Sequence, residues 1–88
     1  MDFSGSNVEI YDSNFENVND KLISAGEESN IKIFKINAIN SKSGIVSKDG
    51  SRVYSNDIFL DNVEIPFASY QKKPQYGHGL LVVNNFKV

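Results

Sequence analysis

The chain repeats itself about every 22 residues, and this repeat constrains its fold more than any other feature. Val8, Ile31 and Val53 begin three segments, separated by 23 and then 22 residues. In each segment an Asn follows nine residues later and a Ser sixteen residues later: Asn17, Asn40 and Asn62, then Ser24, Ser47 and Ser69. A repeat of this length indicates one structural unit stacked on copies of itself.

The composition favours strands over helices. Ile and Val together number 17, against four Leu and three Ala, so β-branched residues outnumber good helix formers. No segment has the 3.6-residue apolar period of a capped helix. Because the chain has 88 residues, we expect a single domain.

The pattern of each repeat predicts three short strands separated by corners. Counted from the first residue of a segment, apolar residues fall at offsets zero and two and mostly at five and seven, with a break in phase between the pairs. Two alternating strands joined by a bend produce this pattern. The third strand is predicted at Leu22-Ile23-Ser24, Ile45-Val46-Ser47 and Phe67-Ala68-Ser69. The one-residue difference between repeats is expected in the turn that follows, where Lys48–Arg52 is one residue shorter than Ala25–Asn30.

With three strands per coil, parallel stacking and this perimeter, the chain resembles the right-handed single-stranded parallel β-helix of pectate-lyase-like proteins. We expect an all-β fold of about three and a half coils of 22–23 residues, with one module over residues 1–88. Its coils would span about 8–30, 31–52 and 53–80, with a partial coil at 81–88. The leucine-rich repeat has a similar period, but it requires regularly spaced Leu, which is scarce here. The chain is expected to be a fragment of a longer solenoid.

Stacking predicts columns of like residues, in which successive residues of one column are about 4.8 Å apart. The internal columns are Val8/Ile31/Val53, Phe15/Ala38/Leu60 and Ile23/Val46/Ala68. The Asn column is interpreted as a structural ladder of side-chain amides at a corner, because Asn pairs with Asn above it and tolerates a left-handed backbone. A polar ligand site is the alternative for these three residues.

Open coil ends would leave several large apolar side chains and a strand edge uncovered, and exposed edges invite strand addition. The ends are therefore expected to be capped by the termini, stacked on another copy, or continued by a longer solenoid. For the chain in isolation we expect a homo-oligomer through these ends. A protein-interaction module that uses the ends is a further functional hypothesis.

The turn after the Ser column gathers the charged side chains that are candidates for chemistry. We call Glu27, Glu28, Lys48, Asp49, Lys72 and Lys73 the charged ridge. The catalytic candidates are Lys48, Asp49 and Lys72. The ligand-binding candidates are Glu27, Glu28 and Lys73, together with Tyr70, Tyr76 and His78 from the adjoining loop. A solvated face of mixed charge is the plainer interpretation of the ridge.

The family resemblance gives the ridge two functional interpretations. The first is a non-catalytic module, structural or carbohydrate-contacting, of a longer surface or secreted protein. The second is part of a polysaccharide lyase or glycoside hydrolase, in which Lys48 or Lys72 serves as the base. Calcium is then held by Glu27, Glu28 and Asp49, whose oxygens suit a hard cation. Otherwise no cofactor or metal site is predicted, since His78 has no second His or Cys beside it. The resemblance also implies an extracellular or cell-surface location.

Other classes of function lack support in the sequence. The net charge of −2 gives no basic stripe for nucleic acid. No run approaches the roughly 18 apolar residues that span a bilayer, and the first residues do not form a signal peptide. The absence of Cys excludes disulfides and thiolate metal sites. The expected partners are thus a second copy of the chain or a polysaccharide, with neither nucleic acid nor membrane.

Overall fold

The structure, a computed structural model, describes residues 1–70 and 79–88, with only the backbone of Tyr70. Six strands make up one parallel sheet: β1 (Asp2–Ser4), β2 (Asn7–Glu16), β3 (Lys21–Gly26), β4 (Asn30–Lys48), β5 (Arg52–Tyr70) and β6 (Leu80–Lys87). The sheet winds into a β-solenoid of about three turns, which confirms the predicted all-β stacked coil. The molecule measures 34 × 21 × 18 Å.

The strand register reproduces two of the predicted columns. Val8 pairs with Ile31, and Ile31 pairs with Val53. The same ladders place Phe15 beside Ala38 and Ala38 beside Leu60. Strand β6 continues the first column, since Leu81 pairs with Val53. Like residues therefore lie over one another across four neighbouring strands.

The predicted bends lie inside the long strands, where single residues adopt a left-handed backbone. At the first bend φ is 47° for Asp12, 66° for Lys35 and 59° for Asp57. At the second bend it is 56° for Asn17, 50° for Asn40 and 54° for Asn62. Asn and Asp tolerate this conformation better than other side chains that carry a Cβ. These bends divide each 19-residue strand, β4 and β5, into the three straight segments predicted for a coil.

The predicted register of the third strand is wrong in the first coil. Ile23 pairs with Ile45, Ser24 with Val46 and Ala25 with Ser47. The predicted column Ile23/Val46/Ala68 is therefore incorrect, and Ser24 does not share a column with Ser47 and Ser69. The third strand of the first coil runs one residue later than the sequence alignment indicated.

An extra residue in an exposed corner causes this shift. Glu16 pairs with Ile39, 23 residues on, whereas Lys21 pairs with Ser43, 22 residues on. The extra residue thus lies between them rather than in the later turn. The turns after the third strands have the same length, because Ala25 pairs with Ser47 and Asn30 with Arg52. A one-residue slip moves every side chain to the other face of the sheet, so burying Ile23 beside Ile45 requires this register.

The interior of the solenoid is a continuous aliphatic core. The fully buried members are Leu22, Ile23, Ile31, Ile33, Ile36, Ile45, Val53 and Ile58. Inward side chains alternate with outward ones, as along β4, where Ile31 and Ile33 are buried and Lys32 between them is exposed. Burial of such side chains stabilises a fold by about 1.5–3 kcal/mol each. The core therefore fixes which residues each coil presents to solvent.

A buried serine ladder lies at the third corner. The backbone N–H of Ser29 donates to Ser51 Oγ at 3.1 Å, and the N–H of Ser6 donates to Ser29 Oγ at 3.2 Å. Ser29 Oγ donates in turn to the Gly26 carbonyl at 2.8 Å. Ser29 and Ser51 are at most 1% exposed, so these bonds satisfy polar groups that water does not reach. The spacing of Ser6, Ser29 and Ser51 is visible in the sequence, but the burial of Ser29 and Ser51 is not.

Candidate functional site

Part of the charged ridge comes together at the turn that joins the third strand of one coil to the first strand of the next. The Glu28 N–H donates to the Asp49 carbonyl at 2.9 Å, and this hydrogen bond links the turn of one coil to the turn of the next. Ser4 Oγ donates to Glu27 Oε2 at 2.7 Å. The Lys48 side chain lies across Gly26, where an added Cβ would be 3.2 Å from Lys48 Cε. Gly26, Glu27 and Lys48 border a shallow groove of about 250 Å³. Asp2, Phe3 and Ser4 also line it.

The ridge does not present all of its charges to solvent. Asp49 is 1% exposed, whereas Glu28 is exposed and Lys48 is half-buried. Tyr70 ends β5, where its backbone pairs with Lys48. The remaining predicted residues, Lys72, Lys73, Tyr76 and His78, lie outside the described residues, as does the Tyr70 side chain. The catalytic and ligand-binding roles assigned to the ridge stay predictions.

The Asn column lies on the surface and contains a direct side-chain contact. Asn62 Nδ2 donates to Asn40 Oδ1 at 2.8 Å. Asn17 contributes a backbone hydrogen bond, in which its N–H donates to the Ile39 carbonyl at 3.1 Å. All three residues are exposed, so water can also reach these groups. A structural role for the column is still a prediction, and mutagenesis can test it.

A second surface, not identified from the sequence, carries exposed aromatic side chains on the outward side of the first strand of each coil. We call it the aromatic face. The Tyr11 and Phe34 rings are stacked, with centroids 5.1 Å apart and planes 10° apart. Tyr54 pairs with Lys32, which precedes Phe34 by two residues. Tyr54 therefore lies in the outward column next to the Tyr11–Phe34 column. Tyr11 is 56% exposed and Tyr54 41% exposed.

Polar side chains surround these rings. The exposed polar residues of the aromatic face are Asn7, Glu9, Asn30, Lys32 and Arg52. A groove of about 410 Å³ runs beside Tyr54, with Glu9, Lys32 and the two Asn among its lining residues. The signal for this face was the outward position of Tyr11, Phe34 and Tyr54 in an alternating strand, but the stacking of the rings needed coordinates.

The surroundings of two exposed groups, Tyr11 and Asp20, shift their pKa values. Partial desolvation and the neighbouring Glu9 carboxylate raise the pKa of Tyr11 above its ordinary value. A hydrogen bond from Lys21 Nζ, 3.4 Å from Asp20 Oδ1, lowers the pKa of Asp20. The first pair lies on the aromatic face and the second at the corner with the extra residue. Glu9 therefore favours the protonated Tyr11 hydroxyl on this face.

Within residues 1–70 and 79–88, no three histidine, aspartate or glutamate side chains are grouped so that they could hold a metal ion. That part of the chain also contains no helix with the length and apolar character needed to cross a membrane.

Comparison with protein-family models finds no match, and comparisons with curated proteins and with solved structures find no significant match either. The parallel β-solenoid is thus established by the strand register of this chain.

Proposed function

We propose that this chain is a non-catalytic β-solenoid module that contacts carbohydrate through the aromatic face, as part of a longer surface or secreted protein. The observation that carries the proposal is the exposed Tyr54 beside a groove bordered by Glu9 and Lys32, next to the Tyr11–Phe34 stack. Strands of a solenoid hold these outward side chains rigidly, so little order has to be gained on binding.

The chemistry of the aromatic face matches that of a sugar chain. A pyranose ring has an apolar face of C–H groups, which packs on an aromatic ring, and equatorial hydroxyls, which bond to amides and charged groups. Because Tyr11 and Phe34 stack on each other, one face of the Tyr11 ring is covered. The surfaces offered to a sugar are the other face of Tyr11 and the exposed part of Tyr54, with Asn7 and Asn30 as hydrogen-bonding neighbours.

The alternative function is part of a polysaccharide lyase or glycoside hydrolase that acts at the charged ridge, with calcium under the lyase mechanism. It requires Lys48 or Lys72 as a base and Asp49 as an accessible carboxylate. Asp49 is 1% exposed, whereas the side chains of the aromatic face are at the surface. This contrast favours the non-catalytic function. Kinship with pectate-lyase-like proteins belongs to the same proposal, and the coiled architecture is what supports it. An extracellular location would follow from that kinship.

Affinity electrophoresis in gels that contain neutral or acidic polysaccharides tests the proposed function. We expect at least one polysaccharide to retard the chain and Tyr54→Ala to abolish the retardation. Phe59→Ala is the matched control, because Phe59 is also a 41% exposed aromatic residue but lies on the next outward face of the coil. Retardation that survives in Tyr54→Ala, or no retardation by any polysaccharide, would contradict the proposal. Incubation with uronate polymers and calcium, followed by the absorbance of unsaturated products, tests the lyase alternative directly.

A further inference from the structure

We infer that this 88-residue chain, on its own, associates head to tail with a second copy of itself, by stacking the first coil of one copy on the last strands of another. This inference is independent of carbohydrate binding and concerns the two ends of the solenoid.

The two ends carry open strand edges. Among the described residues, β2 pairs with β4 alone, and β6 pairs with β5 alone. One edge of each strand therefore presents unpaired backbone groups, which are a template for another strand. At the β6 end Phe86 is uncovered: it is 57% exposed, although its partner Ile58 in the same inward column is fully buried.

Extending the register across the junction brings matching side chains together. The columns of the solenoid place Leu81 in line with Val8 and Val83 in line with Ile10. If β2 of a second copy pairs with β6 in this register, both contacts continue the aliphatic core. The same register places the large, exposed Phe86 over Ser13, a small residue in the inward column of Ile36 and Ile58. The two end surfaces are thus complementary in size as well as in register.

The short strand β1 fits the same arrangement. It pairs with β3 and shares a column with β5, since Asp2 pairs with Ser24, Ser24 with Val46 and Val46 with Ala68. In a head-to-tail stack, β1 of the second copy lies beside the end of β5, while β2 lies beside β6. One translation along the solenoid axis therefore supplies both strands with partners. A contact of this kind joins two different surfaces and repeats from copy to copy.

Charge is also complementary between the ends. Residues 1–20 contain five acidic side chains and no Lys or Arg, whereas residues 79–88 contain one Lys and no acidic side chain. In the extended register Lys87 lies over Asn14 of the second copy, within diagonal reach of its Glu16. At the first bend, Asn85 Nδ2 donates to Asp57 Oδ1. The second N–H of that amide is placed to donate to Asp12 of the next copy, because Asp12 begins the same left-handed column.

A charge swap across the two ends tests the inference. Sedimentation velocity of the unaltered chain, over increasing concentration at low salt, should show masses that rise in steps of 9.8 kDa. Association should weaken at high salt, where charges are screened. Asn85→Asp/Lys87→Glu at one end, or Asp12→Lys/Glu16→Lys at the other, should give monomers. The changes at Asp12 and Asn85 fit their column, since Lys35 and Asp57 already occupy the bend. A mixture of the two variants should assemble, because each altered end then faces its opposite charge.

The control variant changes the net charge by the same −3 as Asn85→Asp/Lys87→Glu, but on the side of the solenoid. Asn37→Asp/Lys42→Glu alters two exposed residues of β4 and should associate like the unaltered chain. Circular dichroism establishes that every variant keeps its strands. A single 9.8-kDa species at all concentrations would overturn the inference. It would also be overturned if either end variant still assembled alone, or if the mixture stayed monomeric.

Discussion

Asn62 donates its side-chain amide to the side-chain carbonyl of Asn40, 2.8 Å away, although both residues are exposed at the second bend of the coil. Both have a left-handed backbone, with φ of 54° and 50°. Each Asn therefore does two things at the bend: it adopts a conformation that most residues avoid, and it links one coil to the next. The two contributions can be separated by mutation.

Asn40→Ala should destabilise the chain by about 1–2 kcal/mol. The change removes an exposed hydrogen bond, worth roughly 0.5–1.5 kcal/mol at most, and puts Ala in the left-handed region at a cost of about 1 kcal/mol. Asn40→Gly is the matched variant, because Gly adopts positive φ freely, so it should lose less. Urea denaturation of both variants measures the difference. If Ala and Gly are equally stable, the left-handed backbone contributes nothing at this bend.

Two buried serines should respond to mutation in opposite directions. Ser29 Oγ donates to the Gly26 carbonyl and accepts from the Ser6 N–H, so Ser29→Ala leaves buried groups without partners. We expect a loss of about 1–3 kcal/mol. Ser24 Oγ is buried and has no hydrogen-bond partner among the described residues. Ser24→Ala should therefore leave stability unchanged or raise it by roughly 1 kcal/mol.

Thermal melts of the two serine variants provide the test. At this size, a loss of 1 kcal/mol lowers the midpoint by about 4–8 °C. A stabilised Ser29→Ala, or a Ser24→Ala as damaging as Ser29→Ala, would show that the serine ladder is wrongly placed.

Gly44 should tolerate no side chain, whereas Gly26 should tolerate one. A Cβ at Gly44 would lie 2.1 Å from the Pro66 carbonyl oxygen, which belongs to the backbone of the next coil and cannot move aside. Gly44→Ala should cost about 3 kcal/mol or prevent folding. At Gly26 the nearest atom is Lys48 Cε at 3.2 Å, on a flexible side chain. Gly26→Ala should change the free energy of unfolding by less than about 1 kcal/mol. Equilibrium unfolding compares the two, and equal losses would contradict the packing described at Pro66.

The ionisation of Tyr11 should depend on Glu9. Partial desolvation and the Glu9 carboxylate raise the Tyr11 pKa, so Glu9→Gln should lower it while leaving the effect of desolvation. A raised pKa means that the folded chain holds this proton more tightly than the unfolded chain. Any stability gained is present below the unfolded pKa and is lost as pH rises through the folded pKa. Carbon-13 NMR of labelled tyrosines follows the titration, and an unaltered Tyr11 pKa in Glu9→Gln would show that the two groups do not interact.

Much of the fold was readable from the sequence because inward columns repeat like residues. Val8, Ile31 and Val53 were placed correctly, and the bends were found from the break in phase. The third strand of the first coil was misplaced because a Ser happened to lie at the expected distance. The exposed corner before Lys21 absorbs an extra residue without a compositional signal.

The candidate site was less predictable, because it depends on which side chains meet at the surface. From the sequence, the candidate site was predicted at the charged ridge. Asp49 is buried, however, and the stacked Tyr11 and Phe34 lie on a separate surface. An alternating strand indicates which side chains point outward. It does not show that two rings from different coils come within 5.1 Å, because this depends on register and rotamer together.

The most direct test of the stacked-coil structure is the set of long-range nuclear Overhauser effects between backbone protons of the isotope-labelled chain. The structure predicts contacts that join Ile31 with Val8 and with Val53, and contacts that join Ala25 with Ser47 after the shift of register. A spectrum that instead joins Ser24 with Ser47, or that lacks contacts between residues 22 or 23 positions apart, would contradict it.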